Sequence, residues 1–257
     1  MPAEGPSPYR TADFDYPLPE NLVASHPAER RDESRLLVLD RATGSLADRR
    51  FSDLPGYLAE GDALVVNDTR VFPARLTGRK PTGARAEILL LGPVAGDGEP
   101  RAWKALVRPG GKLKPGRSVE VGDGFAVVVE DSYADGSRRV RLEGDGDPWD
   151  LIERYGEVPL PPYIRRPSDE MDRERYQTVY ARERGSVAAP TAGLHFTVGL
   201  LEQIEARGVS VVRLTLHVGV GTFRPVDAER PEDHHMHAER YRLSGAAARL
   251  LNRARAG

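Results

Sequence analysis

Cysteine is missing from all 257 residues, which excludes disulfides, thiolate metal sites and a cysteine nucleophile. Long apolar runs are missing too: none reaches the roughly 20 residues that a membrane-crossing helix requires. The polar, Pro-rich start, Met1 to Arg10, lacks the basic-then-apolar pattern of an export signal. The cytoplasm is therefore the expected location, with no membrane partner. A surplus of positive charge is also absent, since 37 Lys and Arg against 39 Asp and Glu leave a net charge of −2. A protein that binds nucleic acid with its whole surface is usually basic, so any RNA contact here must use a local patch. No internal repeat is visible.

What the chain does contain is turn formers and a core. It has 26 Gly and 21 Pro, which predict many turns and irregular loops, while 39% hydrophobic and 30% charged residues fit a folded globular protein. Arg35 to Asp40 reads as a strand, Ala42-Thr-Gly44 as a turn, and Leu46 to Phe51 as the second strand of a hairpin. Ser52 to Glu60 reads as a short helix with Ser52 as its cap and Gly61 as its stop. Ala63-Leu-Val-Val-Asn67 suits a buried strand. From Ala74 to Gly146 short β-rich segments alternate with glycine turns: Ala86–Leu91, Trp103–Val107, Ser118–Val121, Phe125–Glu130 and Arg138–Leu142, with Asp135-Gly136 as a two-residue hairpin signal. This spacing predicts a small barrel or sandwich. Glu157 to Ile164 is extended because Pro159, Pro161 and Pro162 forbid helix. Thr197 to Arg207 reads as an amphipathic helix ended by Gly208, Val209 to Val218 as a strand, and Ser244 to Ala256 as a helix capped by Ser244. The expected fold is mixed α/β, with a main domain at 13–73 and 147–257 interrupted by a small inserted β-barrel at 74–146, after a loose tail at 1–12.

Four segments carry more polar residues and glycine than a core requires. Asn67-Asp-Thr-Arg70 follows a strand, where α/β proteins place ligands; Asp68 can accept hydrogen bonds and Arg70 can grip a carboxylate or phosphate, although Asn and Asp also make plain turns. Ala188 to Phe196 contains Thr191, Gly193 and His195. The His, just before a helix start, is a general acid/base candidate or a structural hydrogen-bonder. Leu216-His-Val-Gly-Val-Gly-Thr-Phe223 has only half of a dinucleotide fingerprint. It reads better as a strand-end loop in which Gly219 and Gly221 make room for a ligand, with His217 and Thr222 as polar handles. His234-His-Met-His-Ala-Glu239 invites a metal hydrolase built on His234, His235, His237 and Glu239, but its spacing is not that of a zinc helix; no metal is expected. Two stretches free of acids, Arg70–Arg85 and Arg101–Arg117, form a candidate phosphate-backbone surface of Arg75, Arg79, Lys80, Lys104, Arg108, Lys112 and Lys114. Trp103 can stack a base, or belong to the core.

Phe14-Asp-Tyr-Pro-Leu-Pro19, Val65-Val-Asn-Asp-Thr-Arg-Val-Phe-Pro-Ala-Arg75, Glu157 to Ile164, Tyr176-Gln-Thr-Val-Tyr180, Val187 to Phe196, Leu216 to Phe223 and His235-Met-His-Ala-Glu239 occur in this order. In that order they resemble the S-adenosylmethionine:tRNA ribosyltransferase-isomerase family of queuosine biosynthesis, over nearly the whole chain. The resemblance implies an α/β domain interrupted by a small β-barrel. It implies transfer of the ribosyl part of S-adenosylmethionine to 7-aminomethyl-7-deazaguanine in a tRNA anticodon, isomerisation to epoxyqueuosine, and loss of adenine and methionine. S-adenosylmethionine is then a consumed co-substrate, and no cofactor is retained. The implied catalytic set is His195, His217, His237 and Asp68. Asn67, Arg70, Thr191, Gly193, Gly219, Gly221, Thr222 and Glu239 are the implied substrate-binding set, with tRNA on the barrel and a monomer as the working unit. Members of the family normally continue past the point matching Gly257, so the α/β domain is expected to be incomplete. A non-catalytic tRNA- or nucleotide-binding remnant of the family is the alternative.

Overall fold

The computed structural model describes residues 9–94, 96, 100–223, 225–236 and 238–256. After three 3₁₀ turns, at Thr11–Phe14, Glu20–Leu22 and Arg31–Glu33, the first strands form a hairpin of β1 (Arg35–Leu39) and β2 (Leu46–Arg50). Its turn is built by Asp40, whose Oδ1 accepts the amides of Ala42 at 2.8 Å and Thr43 at 3.0 Å. The next segment is a 3₁₀ turn over Phe51–Tyr57, not the Ser52-capped helix that its polar start predicts. Pro55 lies inside it and supplies no amide for an α-helical bond. The end is held instead by the Asp53 carboxylate, which accepts the Arg50 amide at 3.0 Å.

β3 (Ala63–Asn67) is half-buried rather than buried. Val66 packs inward while Val65 is 45% exposed, because alternate residues of a strand face opposite sides. A single residue separates β3 from β4 (Thr69–Val71). The chain then enters a closed six-stranded barrel made by β5 (Arg75–Arg79), β6 (Arg85–Pro93), β7 (Ala102–Arg108), β8 (Ser118–Gly122), β9 (Phe125–Ser132) and β10 (Arg138–Glu143). β5 has too few apolar residues to read as a strand in isolation. It closes the barrel because Gly78 lets β8 approach: a Cβ there would lie 2.2 Å from the Glu120 carbonyl oxygen. The turn between β9 and β10 is longer than Asp135-Gly136 alone predicts. Tyr133 and Ser137 close it, with the Tyr133 amide donating to the Ser137 carbonyl at 2.9 Å.

Leu76, Ile88, Leu90, Val119, Val127, Val129, Val140 and Leu142 are fully buried inside the barrel. One end is plugged by α1 (Pro148–Tyr155), whose Pro148 start and Asp147 cap were not evident from periodicity. Trp149 of α1 stands edge-on to Trp103 at 4.8 Å and to Phe72 at 5.4 Å. Trp103 is 1% exposed, so it is a core residue and cannot stack a base. Phe72 lies immediately after β4, and the same aromatic group therefore ties the barrel to the strand pair beside it.

After the extended Pro-rich segment come α2 (Glu170–Arg175) and β11 (Glu183–Ser186), which pairs in parallel with β4. α3 (Val198–Ala206) is capped by Thr197, whose Oγ1 accepts the Leu200 amide at 3.1 Å. Leu200, Leu201 and Ile204 of this helix pack on Phe51 and Phe196 in a second core. β12 (Ser210–His217) runs parallel to β3 and antiparallel to β13 (Arg240–Arg242), giving the order β13-β12-β3. α4 (Gly245–Ala256), with Ser244 Oγ accepting the Ala247 amide at 3.1 Å, packs on β12 and β3. Among the described residues, no helix is long and apolar enough to cross a membrane. The architecture is mixed α/β with a closed barrel between β4 and β11.

Leu90 is fully buried inside the closed barrel, and truncation there leaves a cavity among its neighbours. Leu90→Ala is expected to cost about 2–5 kcal/mol, read as a lower urea midpoint at unchanged m-value.

Candidate active site

Asn67 ends β3 and uses its side chain as a strand residue uses its backbone. Its Nδ2 donates to the Leu216 carbonyl at 2.8 Å, and its Oδ1 accepts the amides of Leu216 at 2.9 Å and Thr69 at 3.1 Å. These bonds keep β12 beside the chain as it leaves β3. Asp68 and Thr69 then meet alternate residues on one face of β12. Asp68, 6% exposed, accepts from Thr215 Oγ1 at 2.7 Å, and Thr69 Oγ1 lies 2.8 Å from His217 Nδ1. The backbone carbonyl of Asp68 also receives the amides of Arg182 at 2.7 Å and Glu183 at 3.1 Å, fixing the entry to β11. Ser186, at the end of β11, accepts the Val218 amide at 2.9 Å and donates to the Ala188 carbonyl at 2.8 Å.

His217 lines a cleft of about 440 Å³ between the barrel and the α/β sheets. Leu91, Pro93 and Lys104 come from the barrel, Trp149 from α1, Arg184 and Gly185 from β11, and Gly219, Glu239 and Arg240 from the chain around β12 and β13. Glu239 Oε1 accepts the Gly219 amide at 2.7 Å, which holds a carboxylate in the cleft. Burial lowers the His217 pKa below the ordinary 6.5; Glu183 and Asp68 oppose the shift, while Arg242 and Arg240 add to it. Glu183 is itself held ionised by hydrogen bonds from Arg182 and Arg242, at 3.1 and 2.8 Å. A neutral imidazole beside a carboxylate and several cations can take up a proton and hold an anionic or sugar-bearing ligand.

His195 lies elsewhere. It ends a 3₁₀ turn, Thr191–His195, rather than standing directly at a helix start, because Thr197 caps α3. Its Nδ1 is 2.9 Å from Ser34 Oγ, and its ring centroid is 5.2 Å from that of Phe51. Ser34 Oγ also lies 3.1 Å from the Arg31 carbonyl, an acceptor for its proton when His195 Nδ1 donates to it. Burial first, and the Arg31 charge second, lower the His195 pKa. In the same turn Thr191 is exposed, while Gly193 is packed so closely that a Cβ would lie 2.3 Å from the Tyr180 hydroxyl.

Of the other expected ligand residues, Arg70 is exposed on β4, Gly221 is half-buried and Thr222 exposed in the 3₁₀ turn Val220–Phe223. His237 lies outside the described residues. Among the described residues, no group of three or more His, Asp or Glu side chains is arranged to hold a metal, and Glu239 is engaged with Gly219. The structure adds Thr69, Gly185 and Thr215 to the neighbourhood of His217. Thr69 is inside the Asn67–Arg70 segment, but nothing in that segment tells which β12 residue it meets. Gly185 had only its small size as a signal.

The barrel's basic stretches are free of acid along the chain but not in space. Arg75 faces Glu87 at 3.8 Å, Lys104 binds Asp135 at 2.7 Å, Arg79 pairs across the ladder with Glu120, and Arg108 with Glu87. Antiparallel pairing brings acids from the neighbouring strands. Lys112 and Lys114 are exposed, Lys80 is half-exposed, and Arg79 and Arg85 border an open groove of about 560 Å³.

The depressed pKa of His195 has a consequence for stability. The unfolded chain binds the proton more readily than the folded one, so the contribution is complete above 6.5 and is lost as pH falls through the folded-state value. The thermal midpoint is expected to fall on going from pH 7 to pH 5, and to fall less steeply in His195→Gln, as followed by circular dichroism.

The family profile for queuosine biosynthesis proteins matches residues 11–257. The chain is 52% identical over 247 residues to the S-adenosylmethionine:tRNA ribosyltransferase-isomerase of Syntrophomonas wolfei, covering 95% of this chain and 69% of that one. It is 51% identical over 250 residues to the enzyme of that name from Symbiobacterium thermophilum, covering 96% and 72%. Among solved structures it is similar to the S-adenosylmethionine tRNA ribosyltransferase of Thermotoga maritima, at 32% identity, covering 95% of this chain and 66% of that one, with a TM-score of 0.40. With a family profile matching residues 11–257 and about half its residues shared with the Syntrophomonas and Symbiobacterium proteins, this chain belongs to the queuosine biosynthesis protein family.

Proposed function

We propose that this chain transfers the ribosyl part of S-adenosylmethionine to 7-aminomethyl-7-deazaguanine in tRNA and isomerises it, forming epoxyqueuosine and releasing adenine and methionine. S-adenosylmethionine is consumed, and no retained cofactor takes part. The observation that carries this reading is the cleft between barrel and sheets, which His217, its pKa lowered by burial, and the Glu239 carboxylate both line in a member of this family.

The chemistry asks for three things. A base must remove a proton made acidic by the sulfonium, at the ribose C5′. A donor must help adenine leave, and carboxylates must hold the ribose or steady the sulfonium. His217 is the base in this reading, because its burial keeps it unprotonated near neutral pH. Glu239 is the carboxylate. Asp68 acts from behind, holding Thr215 on the same face of β12. Arg70, exposed beside the strand pair, suits the methionine carboxylate. His195 supports the packing of Phe51 and Ser34 rather than the reaction. The barrel, residues 74–146, contacts the tRNA backbone through Arg79, Lys80, Arg108, Lys112 and Lys114. The reaction runs in the cytoplasm, with one chain as the unit.

The deciding experiment incubates the protein with S-adenosylmethionine and tRNA carrying the aminomethyl-deazaguanine base, and measures adenine. Release that depends on the modified tRNA supports the enzyme; tRNA binding without release supports a binding remnant instead. His217→Ala is expected to lower kcat by about 100-fold or more, the scale of a lost acid/base group. Replacing Arg79, Lys112 and Lys114 together with Glu is expected to raise the KM for tRNA and leave saturated turnover unchanged. It should also flatten the salt dependence of binding by about one log unit per lost phosphate contact.

A further inference from the structure

We propose that Thr69, with the Gly185 backbone behind the ring, is a positioning residue that holds the His217 imidazole and accommodates both of its protonation states without movement. This rests on the reading in which His217 carries the proton.

Thr69 is completely buried, although its side chain is polar. Among the described residues its Oγ1 has two hydrogen-bond partners: His217 Nδ1 at 2.8 Å and the Glu183 carbonyl oxygen at 3.4 Å. A hydroxyl has one proton to donate and lone pairs to accept with. With Nδ1 protonated, the imidazole donates to Oγ1, and Oγ1 turns its own proton to the Glu183 carbonyl. Nε2, which has no protein partner among the described residues, is then the nitrogen open to substrate. When Nε2 takes up a proton, the same two bonds persist and now stabilise the imidazolium. In the opposite tautomer Oγ1 donates to Nδ1, and Nε2 presents a proton. The carbonyl behind Thr69 therefore lets the histidine serve as base and then as acid with only a hydroxyl rotation.

The ring's other constraint is steric. Gly185 has φ +149°, and a Cβ on it would lie 2.8 Å from His217 Cε1 and 3.0 Å from both ring nitrogens. The imidazole face thus rests directly on backbone, and any side chain there displaces it. Both supports come from the parallel pair β4–β11, in which Thr69 is the partner of Glu183. The charged groups facing His217 are Glu183 on β11, Asp68 before β4, and Arg240 and Arg242 on β13, with Lys104, Arg184 and Glu239 around the cleft.

The test compares the full chain with Thr69→Val, Thr69→Ser and Gly185→Ala, each first checked for a cooperative thermal transition. Thr69→Val keeps the shape and removes the hydroxyl. Its kcat for adenine release is expected to fall about 100-fold, the effect of a misplaced catalytic group, while the KM for S-adenosylmethionine stays within about twofold. The acid limb of its kcat profile should move to lower pH by about one unit, because the imidazolium loses an acceptor. Thr69→Ser should restore both rate and profile, and Gly185→Ala should lower kcat without moving the acid limb as far. ¹⁵N spectra of the histidine rings supply a readout that needs no turnover: His217 should titrate lower in Thr69→Val and as wild type in Thr69→Ser. If the wild-type chain releases no adenine, the ribosyl-transfer reading fails, while the spectra still decide the hydrogen bond. The proposal is overturned if His217 in Thr69→Val titrates as in wild type, or if that variant keeps full kcat.

Discussion

The Asn67 amide is the joint on which the site depends. β3 and β12 are parallel neighbours up to Leu214, and the ladder then stops. Asn67 continues it with side-chain atoms, bonding both the amide and the carbonyl of Leu216. The main chain is thereby free to turn at Asp68 and begin a new pairing with β11. A half-buried amide that meets a backbone donor and acceptor at once satisfies groups that would otherwise be costly to leave unpaired. It also determines register: Asp68 must meet Thr215, and Thr69 must meet His217. An aliphatic residue at 67 would leave the Leu216 groups unpaired and loosen that alignment.

The same short stretch joins the barrel core to a third, smaller apolar cluster. Val71 packs with Val158, Leu160 and Tyr176, and Phe72 enters the barrel core against Trp103 and Trp149. Within six residues, from Asn67 to Phe72, the chain links a parallel sheet, a polar site and a closed barrel. The cleft at His217 is a consequence of this crowding. The barrel supplies one wall and the sheet edge the other, so a ligand seated there touches both. The basic residues left exposed after strand pairing lie on the barrel that Phe72, next to β4, packs into.

Much of the fold was legible in local chemistry. The β1–β2 turn is written in Asp40 and Gly44, α3 in its Thr197 cap and Gly208 stop, α4 in its Ser244 cap, and the barrel in its alternating apolar strands. What escaped was local pattern that tertiary contact overrides. β5 looks unlike a strand, with two Arg and a Gly in five residues, because one of its faces is open and Gly78 serves close approach rather than propensity. Ser52 to Glu60 reads as a helix, but Pro55 and the Asp53 bond make Phe51–Tyr57 a 3₁₀ turn. β4, β11 and β13 are three or four residues long, too short for any periodicity to show.

For the site, the sequence by itself determined the inventory: Asn67, Asp68, Arg70, His195, His217 and Glu239 stand out because polar and small residues interrupt apolar runs. Only the tertiary structure decided which of them share a place. It sets His217 and Glu239 around one cleft and puts His195 against Ser34 and Phe51, outside it. It turns Asn67 into a ladder residue and makes the unremarked Thr69 and Gly185 the neighbours of the imidazole. The physical reason is that residue type follows from chemistry at one position, whereas proximity follows from the parallel pairings β3–β12 and β4–β11. Those pairings join segments more than a hundred residues apart, on either side of the barrel.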